Sequence, residues 1–275
     1  MKPASVAEIL GSAIDDDGIL DVLLKSVPLT ANLKLRLMVA YREYRRSKAS
    51  TALVPLMLRD PWPEVFSGLY SGRAKKHGLQ WIEDIATTTK YGYCPMCGSE
   101  THKTVDHYLP RSPWAEFSFF SENLVPSCGT CNTKRGNRAC SPGSKPRIFH
   151  PYFDAAHLSR HLHVTRLQKP FELPLFVPAP HPQLSKSMKS RVQNHIDHSI
   201  DEVIYQQFCI NRWSELFLVA RRETTLLKFR TSVKHLAEDA VKTGGPNSWR
   251  SAFYAGLRIN RASVDWLYTN RAAFS

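Results

Sequence analysis

The chain has 275 residues, 43% of them hydrophobic and 22% charged, with a formal net charge of +13. That length suits one large domain or two modest ones, and the composition supports a buried core and excludes wholesale disorder. The excess of 37 Lys and Arg over 24 Asp and Glu favours a polyanionic partner, either nucleic acid or an anionic membrane surface.

The N-terminal stretch has no apolar core of a secretory signal, and no run of about 18 apolar residues exists. The expectation is a soluble, cytoplasmic protein with reduced cysteines and no membrane partner, in which grouped cysteines point to metal.

Residues 1–89 read as an N-terminal helical region. Leu33, Leu37, Tyr41 and Tyr44 recur at helical spacing, with Lys34, Arg42, Arg45 and Arg46 off that line. Asp60-Pro61-Trp62-Pro63 marks a turn. Asp15-Asp16-Asp17 reads as a solvated loop or a helix start. Residues 90–153 change character: helical periodicity fades, and four of the six cysteines fall within it at 94, 97, 128 and 131.

Residues 154–275 begin with a short strand near Leu162–Leu167. A proline-rich stretch from Pro170 to Pro182 then reads as an extended linker or arm. Met188, Val192, Ile196, Ile200 and Val203 share one helical face, with His195 and His198 at the surface of that helix. Trp213, Leu216, Phe217 and Ala220 continue in a second helix, which Gly244-Gly245-Pro246 ends. Two short helices follow, near Ser248–Ile259 and Ser263–Ala272. The layout is a small irregular module between two helical regions.

Cys94-Pro95-Met96-Cys97 and Cys128-Gly129-Thr130-Cys131 are two C-x-x-C pairs. Each is a tight turn that can aim two thiolates at one ion, and two such turns complete a tetrahedral sulfur shell suited to structural zinc. A redox motif would need a thioredoxin-like context, which is absent. Cys140 and Cys209 have no such partner and read as small apolar residues. Thirty residues separate Cys97 from Cys128, more than a plain zinc ribbon needs, so something is carried between the knuckles.

That insert contains Val105-Asp106-His107-Tyr108-Leu109-Pro110-Arg111-Ser112 and Ser121-Glu122-Asn123-Leu124-Val125-Pro126-Ser127, with Cys131-Asn132-Thr133-Lys134-Arg135-Gly136 immediately after. Together these resemble the HNH endonuclease family, the ββα-metal nucleases, in the zinc-containing variant with Asn132 where other members carry histidine. The resemblance covers about Tyr93–Gly136, extended by Phe149–Asp154, and neither helical flank. It implies a mainly α protein with a small zinc-bound ββα-metal module between helical N- and C-terminal regions. HNH proteins with helical flanks also resemble components of anti-phage systems of the Septu type, which would imply a protein partner such as an ATPase.

Phosphodiester hydrolysis needs a deprotonated water in line, neutralisation of phosphorane charge and stabilisation of the leaving oxygen. Neutral His107 can take the water proton. A hard divalent ion, Mg²⁺ or Mn²⁺, can do the rest when held by Asp106 and the amide oxygen of Asn132. Neighbours on a regular strand face opposite ways; the family places the Asp-His pair at a strand end or bulge. Asn123 reads as a loop-fixing residue, the role the family also gives it. His150 reads as structural or as an auxiliary contact, and His102 as exposed.

Lys134, Arg135, Arg138, Lys145 and Arg147 follow with no acid before Asp154, and could hold phosphates flanking the cut in nucleic acid, with DNA expected. No base-reading signature accompanies them. The other readings are a zinc-knuckle binding module whose nuclease has lapsed, and a subunit whose flanks dock a partner protein.

Overall fold

The computed structural model describes residues 1–73, 77–88, 92–100, 104–136, 148–168 and 174–272. His102, Arg138, Cys140, Lys145, Arg147 and Pro170 lie outside the described residues. The protein is mainly α-helical around a small ββα unit, and no described helix is long and apolar enough to cross a membrane.

Among the described residues, five α-helices precede the cysteines. They are α1 (Val6–Leu10), α2 (Asp16–Ser26), α3 (Ala31–Ser47), α4 (Trp62–Gly72) and α5 (Trp81–Thr87). Side-chain caps open the first three: the oxygens of Ser5, Asp15 and Thr30 accept the backbone N–H groups of Glu8, Gly18 and Leu33. Helix α3 buries Leu33, Leu37, Tyr41 and Tyr44, the face read from the spacing. Asp15 caps α2 as a helix start. Asp16 is not solvated: it is buried, pairs with Arg45 at 2.8 Å and accepts the backbone N–H of Ser121 at 3.0 Å.

Strands β1 (Thr104–His107) and β2 (Leu124–Ser127) pair antiparallel, with His107 opposite Leu124 and Asp106 opposite Val125. The connection between them carries two 3₁₀ turns at Ala115–Phe117 and Ser121–Asn123. Helix α6 (Gly129–Arg135) follows and packs on β1. Tyr41 stacks on Phe120 at 4.2 Å and Tyr44 meets Phe117 edge-on at 4.8 Å, so α3 is clamped to this connection by aromatic contact.

Downstream come α7 (Ala155–Leu158), β3 (His163–Gln168), β4 (Leu175–Pro180), α8 (Lys186–Ser199), α9 (Glu202–Arg222), α10 (Leu226–Gly244), α11 (Trp249–Ile259) and α12 (Arg261–Thr269). Three expectations are corrected here; the first is the helix of Trp213–Ala220, which does not run on to Gly244, because α9 ends at Arg222 and the Thr225 side chain, accepting from the Lys228 N–H, opens the separate α10. The proline-rich arm is extended, but it is strand β4, paired antiparallel with β3 and packed against α9. Its prolines fit for a simple reason. The N–H of Phe176 points away from β3 and donates to Gln206 at 2.5 Å. Pro178 and Pro180, two and four residues on, therefore place their N atoms on that same outer edge and lose no ladder bond. The single stripe from Met188 to Val203 is in fact two elements. Ile200 ends α8, and the Asp201 side chain accepts from Val203 and Ile204 to open α9, leaving Val203 80% exposed.

Helix α11 lies so close to β3 that a Cβ on Gly256 would meet the Thr165 carbonyl oxygen at 2.0 Å. One apolar cluster runs through all three regions, from Leu20 and Leu37, through Leu109 and Phe120, to Ile196, Trp213 and Phe253.

Candidate active site and metal centre

The two C-x-x-C turns meet. Cys128 is the N-cap of α6 and Cys131 lies in its first turn, while Cys94 and Cys97 form a loop between α5 and β1. The four sulfurs are buried and lie within 4.8 Å of one another, with Cys94–Cys131 at 3.9 Å and Cys97–Cys128 at 3.7 Å. A tetrahedral zinc–thiolate shell with bonds of about 2.3 Å has sulfur–sulfur edges of about 3.8 Å, so the donor set fits zinc. Backbone N–H groups of Cys128, Ser99 and Cys131 point at Cys94, Cys97 and Cys128 sulfurs at 3.3–3.4 Å, which favours thiolates. Among the described residues no other cluster of three or more His, Cys, Asp or Glu could hold a metal.

The C-terminal flank grips the first knuckle. Trp249 donates its backbone N–H to Gly98 and its indole N–H to Cys97, both at 2.9 Å. His195, expected at a helix surface, is buried: its Nε2–H donates to the Met96 carbonyl at 2.7 Å and its Nδ1 accepts from Phe149. Gly98 sits at φ +85°, and a Cβ there would lie 2.2 Å from the Asn247 carbonyl oxygen.

Asp106 and His107 end β1 and reach different neighbours. Asp106 accepts from Arg135 Nη1 at 2.7 Å, and Arg135 Nη2 donates to the Tyr108 carbonyl at 3.2 Å. Burial raises the Asp106 pKa, with Arg135 pulling it the other way. His107 packs against the Tyr70 ring, centres 4.3 Å apart, and its Nε2 lies 2.8 Å from the Ser118 carbonyl oxygen. A carbonyl only accepts, so Nε2 carries the proton and Nδ1 keeps its lone pair. Burial holds the imidazole pKa down at about 3; the charges of Arg111, Arg135 and Arg73 add to this against the Ser118 bond, so it is neutral at pH 7.

Asn123 uses its whole amide. Its Oδ1 accepts from Tyr44 at 2.9 Å and from the Leu109 N–H at 2.8 Å, and its Nδ2 donates to the Leu109 and Phe117 carbonyls at 3.0 and 3.1 Å. Asn132 is half-buried on α6, one turn before Arg135, and its side chain has no protein partner among the described residues. The Asp106 carboxylate and the Asn132 amide are hard oxygen donors on two packed elements, which fits Mg²⁺ or Mn²⁺ in kind. Arg135 already balances the carboxylate charge, which weakens its pull on a cation.

The basic residues divide. Arg135 is 2% exposed and committed to Asp106, so it is not offered to a flanking phosphate. Lys134 donates to the Ile200 carbonyl at 2.5 Å, tying α6 to the end of α8. His150 is buried with both ring nitrogens engaged, by Tyr44 and by the Tyr152 N–H. Sequence reasoning missed Tyr44, Tyr70 and Arg111 beside the site. Arg111 stood inside the quoted motif; the two tyrosines lie in the N-terminal flank and carried no signal.

A model of the HNH endonuclease family matches residues 94–138. Protein ea31 of Escherichia phage lambda is 39% identical over 62 residues, 22% of this chain and 21% of that protein. The chain thus spans about a fifth of the length of the curated relative it matches. No solved structure matches. The two Cys-x-x-Cys turns, the β1–β2 pair and α6 all fall within the stretch that matches the HNH endonuclease family, and the helical flanks lie outside it.

Proposed function

We propose that this protein is a metal-dependent endonuclease that hydrolyses phosphodiester bonds in nucleic acid, with DNA as its substrate. The observation that carries this reading is the state of His107: neutral at pH 7, fixed by its Nε2–H on Ser118, and left with a lone pair on Nδ1. His107 Nδ1 takes a proton from the water that attacks phosphorus. The P–O3′ bond breaks, and by family resemblance the products are a 5′ phosphate and a 3′ hydroxyl.

Asp106 and Asn132 would hold a Mg²⁺ or Mn²⁺ ion, which would supply neutralisation of phosphate charge and stabilisation of the leaving oxygen. The cysteine cluster holds zinc and frames the hairpin. Asn123 keeps the loop after β1 in place through Leu109 and Phe117, and Ser118 fixes the imidazole.

A second reading, a zinc module that binds nucleic acid without cutting it, draws on the Asp106–Arg135 pair, because a carboxylate already balanced by a buried guanidinium is a weaker metal ligand. Plasmid nicking with Mg²⁺ or Mn²⁺ separates the two. The expected outcome is cutting by the parent and a loss of about 10²–10⁴-fold in His107→Ala with zinc content unchanged. A His107→Ala variant that cuts as fast as the parent, with EDTA stopping both, would remove His107 as the base. Duplex binding by the parent without cutting under either ion would establish the second reading.

A further inference from the structure

Helix α4 of the N-terminal flank supplies part of the wall around His107. Ser67 and Tyr70 of that helix meet Arg111 in the loop after β1, and Arg73 caps the helix beside Tyr70. The Tyr70 ring touches the His107 imidazole, and its hydroxyl donates to the Val105 carbonyl at 3.3 Å. The guanidinium carbons of Arg111 and Arg73 lie 5.1 and 5.3 Å from the centre of that same ring.

The two arginines differ in what else they meet. Arg73 forms an ion pair with Glu83. Arg111 meets no carboxylate among the described residues; its Nη1 donates to the neutral Ser67 hydroxyl at 2.7 Å. A guanidinium has five N–H donors in a fixed fork. One bond to a hydroxyl leaves most of that fork, and the whole charge, unspent. Arg111 is half-buried over the same Tyr70 ring that touches His107. Holding a cation there without a counter-ion is costly unless an anion docks against it.

We propose that Arg111 grips the phosphate about to be cut, its fork on the non-bridging oxygens, with Tyr70 as the positioning residue that touches both Arg111 and His107. This rests on the nuclease reading. Negative charge grows on those oxygens as water adds to phosphorus, so a preformed guanidinium stabilises the transition state more than the ground state. Arg111, not Arg135, is then the arginine of the motif that meets substrate.

The test uses the full-length zinc-loaded protein and supercoiled plasmid in Mg²⁺. Arg111→Ala is expected to lower turnover about 100-fold, and Arg111→Lys less, because the charge stays while the fork is lost. Ser67→Ala, which loses the one bond that orients the Arg111 fork but keeps its charge, is expected to lower turnover clearly less than Arg111→Ala does. Tens of millimolar guanidinium chloride should restore part of the Arg111→Ala turnover, and matched sodium chloride should not. Binding to a short duplex without divalent ion should show the salt slope of Arg111→Ala reduced by about one.

Equal turnover by Arg111→Ala and the parent overturns the proposal and leaves the nuclease reading intact. So does a loss that Ser67→Ala reproduces in full, since that marks only a clamp between α4 and the loop. A parent that does not nick removes the nuclease reading; an unchanged salt slope then removes the phosphate contact too, whereas a reduced slope retains Arg111 as a phosphate-binding residue of a binding module.

Discussion

Four hydrogen bonds saturate Asn123, so each atom of its amide tests a different substitution. Asn123→Asp keeps the shape but turns the Nδ2 donors into an acceptor facing two carbonyl oxygens. It is expected to cost about 2 kcal/mol or more, with cleavage lost alongside. Tyr44→Phe removes the hydroxyl that serves both Asn123 Oδ1 and the buried His150 Nε2, while the Leu109 N–H still satisfies Oδ1, and is expected to cost about 1–2 kcal/mol. Urea unfolding of the two variants at pH 7.5 ranks them, and a milder effect for Asn123→Asp than for Tyr44→Phe would contradict this account. The residue types in the site were legible in the motif. Their partners were not, because Tyr44 meets Asn123 across 79 positions of sequence and no local pattern links them.

Elements were legible where their periodicity belonged to one element alone. Helix α3 and the buried face of α9 follow from spacing, and the short strand near Leu162–Leu167 is β3. The stripe from Met188 to Val203 misled because Val203 falls at helical spacing from Ile200 yet begins a new helix that buries Tyr205 and Cys209 instead, and the capping signal of Asp201 was the element that divided them. Around β4 the prolines outweighed their own spacing: Pro178 and Pro180 within it, and Pro174 and Pro182 on either side, are all even-numbered, which is the period of a strand edge. The first knuckle gives a prediction at this scale. At Gly98 a left-handed backbone and the Asn247 carbonyl leave no room for a Cβ. Gly98→Ala is expected to cost about 2 kcal/mol or more and to lower zinc content per chain, measured by metal analysis beside thermal unfolding. Full zinc with an unchanged melting temperature would show that the knuckle yields.

Across the whole molecule, buried histidines set the response to acid. Burial lowers the His163 pKa to about 3 and that of His195 well below its ordinary value. In the unfolded chain both take up protons near pH 6.5, so below that pH the unfolded state binds protons that the folded state refuses, and stability falls. Asp16 acts the other way, since burial raises its pKa to about 6 and its protonation favours the fold. The two histidines, with His107 held equally low, outweigh the raised carboxyls of Asp16 and Asp106 and leave a net loss, on the order of 2 kcal/mol between pH 7.5 and 5.5. The urea midpoint should drop accordingly, and a midpoint that rises over this range would contradict it. The bond from the Trp249 indole to the Cys97 carbonyl reaches across 152 positions. A contact so distant in sequence closes late, after its loop entropy has been met. A nascent chain therefore presents Asp106 and His107 before the helix that steadies their cysteine frame has been made, and the frame is completed only once α11 has emerged.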